Sequence, residues 1–217
     1  MKTVAFVPIR LNSKRIVGKN LKYLGNKPLM AYVFETLCKV PEINEIYAYC
    51  SQTSIIEHLP SKVKFLKRSE TLDGDETLGE EIYSAFVNEV DADIYILTHT
   101  TSPFLKNITF SNALKQILTN GYDSAFSAEK IQTFAWFESS PINYDLKHIP
   151  RTQDISPVFV ETSGFYMFKK EIWVQEKQRI GSKPYIQVVD KIEGLDIDYE
   201  EDFKMAECII KYDLPST

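Results

Sequence analysis

The sequence predicts an α/β fold, a doubly wound, mostly parallel sheet in a single domain over residues 1–217. Three observations lead there. Apolar runs and helical periodicities alternate four times within the first 120 residues, the pattern of βα units. The first apolar run, KTVAFVP at 2–8, is continuous, as a strand buried on both faces requires. A length of 217 residues at 44% hydrophobic and 25% charged suits one globular core that needs neither disulfides nor a structural metal.

The elements follow in order. After the strand at 2–8, residues 10–24 show no helical period and contain Gly18. Pro28 suits the start of a helix over 29–39, with Leu29, Val33 and Leu37 on one face. EIYAYC at 45–50 reads as the second strand, 53–58 as a short helix and 63–66 as the third strand. Ile82, Phe86 and Val90 mark a helix over 76–90. DIYILT at 93–98 is the fourth strand, and 108–119 is a helix that Gly121 stops. Further strands are expected at 123–129, 133–138, 164–168, 186–189 and 194–197, around an irregular stretch at 139–157. A last helix over 199–211 turns Phe203, Ala206 and Ile210 inward.

Composition narrows the function classes. No run of 18 apolar residues exists, and the N-terminus has no apolar signal-peptide core, so no membrane partner is expected. Cys38, Cys50 and Cys208 form no CxxC pair, and His58, His99 and His148 are scattered, which points to a reducing cytoplasm and away from zinc. The net charge of −5 argues against a nucleic-acid binder. That charge is uneven. Seven cations, Lys2, Arg10, Lys14, Arg15, Lys19, Lys22 and Lys27, precede the first acid, Glu35, and the remainder carries −12. A basic segment on an acidic body suggests a focused anion site.

Four constellations carry chemistry. Pro8 to Asn20 reads P-I-R-L-N-S-K-R-I-V-G-K-N at a strand's carboxyl end, where Arg10, Lys14 and Lys19 suit phosphate oxygens. It is neither a P-loop nor a dinucleotide fingerprint, and with 8 glycines in the chain it would grip phosphate mainly with side chains. Asp196 and Asp198, two apart, suit a shared Mg²⁺ (or Mn²⁺), although Asp198 with Glu201 also fits a helix capping box. His99, Thr101 and Ser102 offer hydrogen bonds to a polyhydroxyl ligand, or else form a turn. Arg151 and Gln153 with Glu161 suit a carboxylate or sugar, or else form a surface loop with local ion pairs.

Taken together these motifs resemble the acylneuraminate cytidylyltransferase family, the CMP-sialic acid, CMP-nonulosonic acid and CMP-Kdo synthetases. The family pattern I-P-A-R-x-x-S-K-R-x-x-x-K-N is matched by V-P-I-R-L-N-S-K-R-I-V-G-K-N. Echoes continue in order through Lys67 to Leu72, Thr101-Ser102-Pro103, Arg151-x-Gln153, Glu161-x-x-Gly164-Phe165-Tyr166, Arg179-Ile180-Gly181 and Asp196-Ile197-Asp198-x-x-x-Asp202. The resemblance implies a Rossmann-like, GT-A-like nucleotidyltransferase that joins CTP to a 2-keto-3-deoxy sugar acid and releases pyrophosphate, in the service of surface polysaccharide biosynthesis. It implies Pro8, Arg10, Ser13, Lys14, Lys19, Asn20, Arg68 and Thr77 at the nucleotide, with Arg10, Lys14 and Lys19 meeting the charge that develops on the phosphates. It implies His99, Thr101, Ser102, Arg151, Gln153 and Glu161 at the acceptor, and Asp196 and Asp198 at the metal. It also implies a homodimer, with an acceptor-side and dimerisation subregion over about 130–185. Asn12, His99-Thr100 and Thr162-Ser163 depart from the family pattern and leave the sugar acid open. A Kdo-type, phosphate or phosphonate acceptor, or a glycosyltransferase using Asp196-x-Asp198, stands as the alternative.

Overall fold

The computed structural model describes residues 1–214. In chain order the elements are β1 (Thr3–Ile9), β2 (Tyr23–Leu24), β3 (Lys27–Pro28), α1 (Leu29–Leu37), β4 (Glu45–Cys50), β5 (Val63–Lys67), α2 (Gly79–Glu89), β6 (Ile94–Thr98) and α3 (Asn107–Thr119). The second half holds β7 (Ser124–Ile131), β8 (Trp136–Phe137), β9 (Ser140–Pro141), β10 (Val158–Lys169), α4 (Lys170–Glu176), β11 (Pro184–Val189) and α5 (Glu200–Lys211). The predicted α/β class is what forms.

Seven strands make one sheet in the order β11-β7-β10-β6-β1-β4-β5. β1 pairs in parallel with both β4 and β6, and only β10 runs against its neighbours. α1 and α3 cover one face, burying Val33, Phe34, Phe110 and Leu114 against Val7, Ile9 and Ile96. α2 and α4 cover the other, where Phe86 stacks on Phe6 at 4.2 Å and Trp173 packs with Phe168. A third cluster docks α5, through Phe203 and Ala206, onto Leu24 and Leu29. Each helix thus turns inward the apolar stripe that its periodicity marks.

Three expectations change. The expected helix at 76–90 starts only at Gly79, where the Glu81 carboxylate accepts from the Leu78 N–H at 2.7 Å. Residues 194–197 do not form a strand, because they run beside the loop after β6 rather than along a sheet edge; Ile197 N–H donates to Thr101 C=O at 2.8 Å, and Gly194 and Leu195 bond back to Asp190 and Ile192. The expected strand at 164–168 begins six residues earlier, and its added half pairs with the end of β7, Val158 opposite Ile131. That pairing lifts residues 132–157, with the β8–β9 hairpin, off the sheet as a small β arm.

Candidate active site

The sheet order places β4 and β5 on one side of β1 and β6 on the other. The carboxyl end between β1 and β6 is therefore a topological switch point, where open α/β sheets bind ligands. Three segments meet there and are latched together. Gly18, at φ 64°, turns the loop after β1 back so that Lys19 and Asn20 point inward, a left-handed conformation that suits glycine. Asn20 Nδ2 donates to Arg10 C=O at 2.8 Å, and Thr100 Oγ1 donates to Asn20 Oδ1 at 2.5 Å. Lys19 Nζ donates to Ile197 C=O at 2.7 Å. Asn20, expected at the nucleotide, thus serves to hold the loops after β1 and β6 in register.

The cations of the first segment gather on two carboxylates. Arg10 Nη1 lies 3.4 Å from Asp75 Oδ1, and Lys14 pairs with the same side chain. Lys14 is the main cause of the Asp75 pKa lying below the usual carboxylate range. Arg15 Nη1 is 2.9 Å from Asp198 Oδ2 and Lys19 Nζ is 3.4 Å from Oδ1. Four cations sharing two carboxylates leave a local positive surplus beside the strand ends, with Ser13 half-buried in the same loop.

A cavity of about 290 Å³ opens beside them, lined by Pro8, Arg10, Arg68, Thr77, Tyr83 and His99. Arg68 is buried; its Nη2 donates to Ile9 C=O at 3.0 Å and to Asp73 Oδ1 at 2.5 Å. Its Nε–H is buried with no partner, a donor left for a ligand. Of the eight expected nucleotide residues, Pro8, Arg10, Arg68 and Thr77 line this cavity and Lys14 pairs with Asp75 at its edge.

Asp196 and Asp198 flank the buried Ile197. Asp198 does not cap α5: Asp202 Oδ2 accepts from the Asp198 and Tyr199 N–H groups at 2.9 and 2.7 Å, so the capping alternative for Asp198 falls. Both Asp198 oxygens face cations instead. Asp196 Oδ1 is buried and unpartnered. Burial, with Asp198 nearby, raises the Asp196 pKa against the opposing Thr101 side chain. An orphaned carboxylate oxygen beside a second carboxylate fits a hard divalent cation. Among the described residues no group of three or more His, Cys, Asp or Glu side chains gathers, so Mg²⁺ here would draw further oxygens from substrate, as it commonly does.

Of the expected acceptor residues, His99 lines the first cavity and Glu161 a second one, while Thr101 and Ser102 lie in the loop after β6, Ser102 buried. The second cavity, about 220 Å³, is lined by Glu129, Glu161, Ser163 and Asp196. Glu161 Oε2 accepts from Tyr166 O–H at 2.6 Å, and Ser102 Oγ is buried without a partner. Arg151 and Gln153 are not brought in: Arg151 Nε pairs with Asp154 Oδ2 at 2.7 Å on the exposed arm. Arg15, Asp75, Tyr83 and Arg179 join the site although no role was read for them. Arg15 and Arg179 lie inside quoted motifs, whereas Asp75 and Tyr83 carry no local signal.

Burial, with the charges of Arg179 and Lys19, pushes the His99 pKa from 6.5 down to about 4, against the pull of Asp198. His99 is then neutral in the folded protein wherever the unfolded chain protonates it, so stability is lost as pH falls from 6.5 to 4. In urea titrations the wild type is expected to lose up to about 3 kcal/mol more across that window than His99→Gln. Equal losses would refute the assignment.

Residues 4–209 match the sequence model of the family described as cytidylyltransferase. N-acylneuraminate cytidylyltransferase A of Danio rerio is 28% identical over 94% of this chain and 49% of its own length. Pseudaminic acid cytidylyltransferase of Campylobacter jejuni is 24% identical over 97% of both chains. The chain thus spans about half the length of the first relative and nearly all of the second. A CMP-2-keto-3-deoxy-manno-octonic acid synthetase, solved with CTP, superposes with a TM-score of 0.71 at 14% identity over 99% of this chain and 100% of its own. The 4-diphosphocytidyl-2C-methyl-D-erythritol synthase of Anaerococcus prevotii does so at 0.69, with 13% identity over 97% and 96%. These two likenesses concern the fold.

Proposed function

Because this chain belongs to the cytidylyltransferase family, we propose that it transfers CMP from CTP to a 2-keto-3-deoxy sugar acid of the nonulosonic type. The acceptor's anomeric hydroxyl oxygen forms a bond to the α-phosphorus and gives its proton to solvent, the bond to the bridging β-phosphate oxygen breaks, and pyrophosphate leaves. The observation that carries this reading is the cluster of Arg10, Lys14, Arg15 and Lys19 around only two carboxylates at the switch point. A triphosphate would replace the Asp75 carboxylate as partner of Arg10 and Lys14. The buried Arg68 Nε–H suits an acceptor atom on the cytosine ring, in the cavity that Pro8 and Thr77 line. Asp196 and Asp198 would hold Mg²⁺, which when bound supplies charge neutralisation at the α-phosphate. The names of the sequence relatives, sialic and pseudaminic acid cytidylyltransferases, support an acid of that size.

The test is a pyrophosphate-release screen of CTP, UTP, ATP and GTP against N-acetylneuraminic, pseudaminic, legionaminic and Kdo-type acids. CTP with one nonulosonic acid should exceed every other pair. No pyrophosphate from any pair would overturn the reading.

The working form we propose is a homodimer. The β arm exposes Trp136, Phe137, Leu146 and Ile149, each more than half accessible, an apolar cover that a second copy's arm would bury. Such a dimer would also give Arg151 and Gln153 a route to a partner's cleft. Sedimentation should give a dimer for the wild type and a monomer for Phe137→Asp. A wild-type monomer at micromolar concentration would remove this part.

A further inference from the structure

A third cavity, about 610 Å³, lies between the start of α2 and the loop that follows α4, lined by Glu80, Tyr83, Trp173, Lys177 and Arg179 among others. Tyr83 also lines the cavity that holds Arg68 and His99, so the two spaces share a wall. Arg179 stands at that wall. Its guanidinium carbon is 3.7 Å from the centre of the Tyr166 ring, and the guanidinium also hydrogen-bonds the Tyr83 side chain at the wall the two cavities share. Its Nη2 is 3.6 Å from Glu161 Oε2, within ion-pair range but beyond hydrogen-bond length. That oxygen already accepts the Tyr166 O–H at 2.6 Å. Arg179 is thus oriented by Tyr166 and Glu161 without its fork being closed on a carboxylate. The side chain is also 39% exposed, open to the cleft.

We propose that Arg179 receives the carboxylate of the acceptor, an assignment that rests on the reading above. In a 2-keto sugar acid the carboxylate and the attacking hydroxyl share one carbon. The cation that binds the carboxylate must therefore stand within a few bonds of the α-phosphate, at the border between nucleotide and acceptor. Arg179 holds that border, since its charge is felt at His99 in the nucleotide cavity and at Glu161 in the acceptor cavity. A guanidinium matches a carboxylate through two parallel N–H···O bonds. It also offsets the repulsion between an anionic acceptor and the triphosphate. The neighbouring cavity, with Trp173, Tyr83 and Lys177, gives room for the rest of the acid.

The experiment compares each acid that the wild type turns over with its methyl ester, in wild type, Arg179→Gln and Arg179→Lys. The wild type should favour acid over ester by about 10- to 100-fold, the worth of a paired charge. Arg179→Gln should raise the KM for the acid by a similar factor, lose the preference over the ester, and keep the KM for CTP within about threefold. Arg179→Lys should restore part of the preference, since it keeps the charge without the fork. An undiminished acid preference in Arg179→Gln overturns this assignment alone, as does a KM for CTP that rises as much as that for the acid. No turnover by the wild type with any acid overturns the proposed function and this assignment with it.

Discussion

Asp198→Asn is expected to lower pyrophosphate release by about a thousandfold while the protein stays folded, because several kcal/mol of transition-state charge stabilisation is at stake and each 1.4 kcal/mol is tenfold. The two halves of that result have separate causes. The fold survives because α5 is capped by Asp202, which accepts from the backbone N–H groups of residues 198 and 199 and does not change in the variant. Lys19 also keeps its bond to Ile197 C=O at 2.7 Å, so the loop after β1 stays latched. What is lost is a partly exposed ion-pair network with Arg15 and Lys19, worth about 1 kcal/mol or less to stability. Activity falls because an amide offers one neutral oxygen where the Asp196–Asp198 pair would offer hard anionic ligands to Mg²⁺. Asp196→Asn should act in the same direction. A turnover within a few-fold of wild type, measured at saturating Mg²⁺, would sink the metal assignment. A lost melting transition would instead make Asp198 a structural residue.

Arg68→Met is expected to damage stability and nucleotide binding together. The side chain is 1% exposed and bonds Ile9 C=O at the end of β1 and Asp73 beyond β5. Methionine fills much of the volume but leaves the Asp73 carboxylate, 20% exposed, and the Ile9 carbonyl without their partner. An uncompensated group of that kind costs about 2–4 kcal/mol, which in a domain of this size lowers Tm by roughly 6–12 °C. The same substitution removes the buried, unpartnered Nε–H of a residue that lines the cavity with Pro8 and Thr77. We therefore expect the KM for CTP to rise about tenfold or more while the KM for the acceptor changes little. Differential scanning fluorimetry with and without CTP separates the two effects. An unchanged Tm would contradict the buried ion pair, and an unchanged KM for CTP would remove Arg68 from the nucleotide site.

Particular residues mark how much of this was readable in the chain. The strand at 45–50 and the short helix at 53–58 form with the expected bounds, since continuous apolar runs and turn residues act over a few neighbours. The loop after β1 stands out in the sequence because its cations are close together. Asp196 and Asp198 stand out by their spacing, whereas Arg68 is placed only by the family resemblance. Arg68 and Asp198 lie 130 residues apart, and only the parallel pairing of β1 with β4 and β6, and the docking of α5, brings both segments to the end of β1. Residues 194–197 were misread as a strand because an apolar-charged alternation cannot say whether a neighbouring strand is free to pair. The capping alternative at Asp198 with Glu201 gives way to Asp202, which accepts from the Asp198 and Tyr199 N–H groups. Spacing permits either carboxylate, and the side chain that reaches the free N–H groups is decided by the cations already holding Asp198. Arg179 was noticed only as part of an echo. Its place over Tyr166 depends on β10 running antiparallel to β6 and carrying Tyr166 and Glu161 to the cleft.

The charge split of the sequence has a similar division. Seven cations before the first acid announce a site for anions, and composition alone supplies that. The folded chain decides that Arg10 and Lys14 face Asp75 while Arg15 and Lys19 face Asp198. By itself the sequence determined the α/β class, the main strands and helices of the first 120 residues apart from the β2–β3 hairpin, and the basic loop, because these rest on short-range periodicity and local charge. Only the tertiary structure decided which carboxylate caps α5, which donor is left unpaired at Arg68 and which guanidinium stands between the two cavities. Those depend on contacts between residues far apart in the chain, and the backbone alone brings them within a few ångströms.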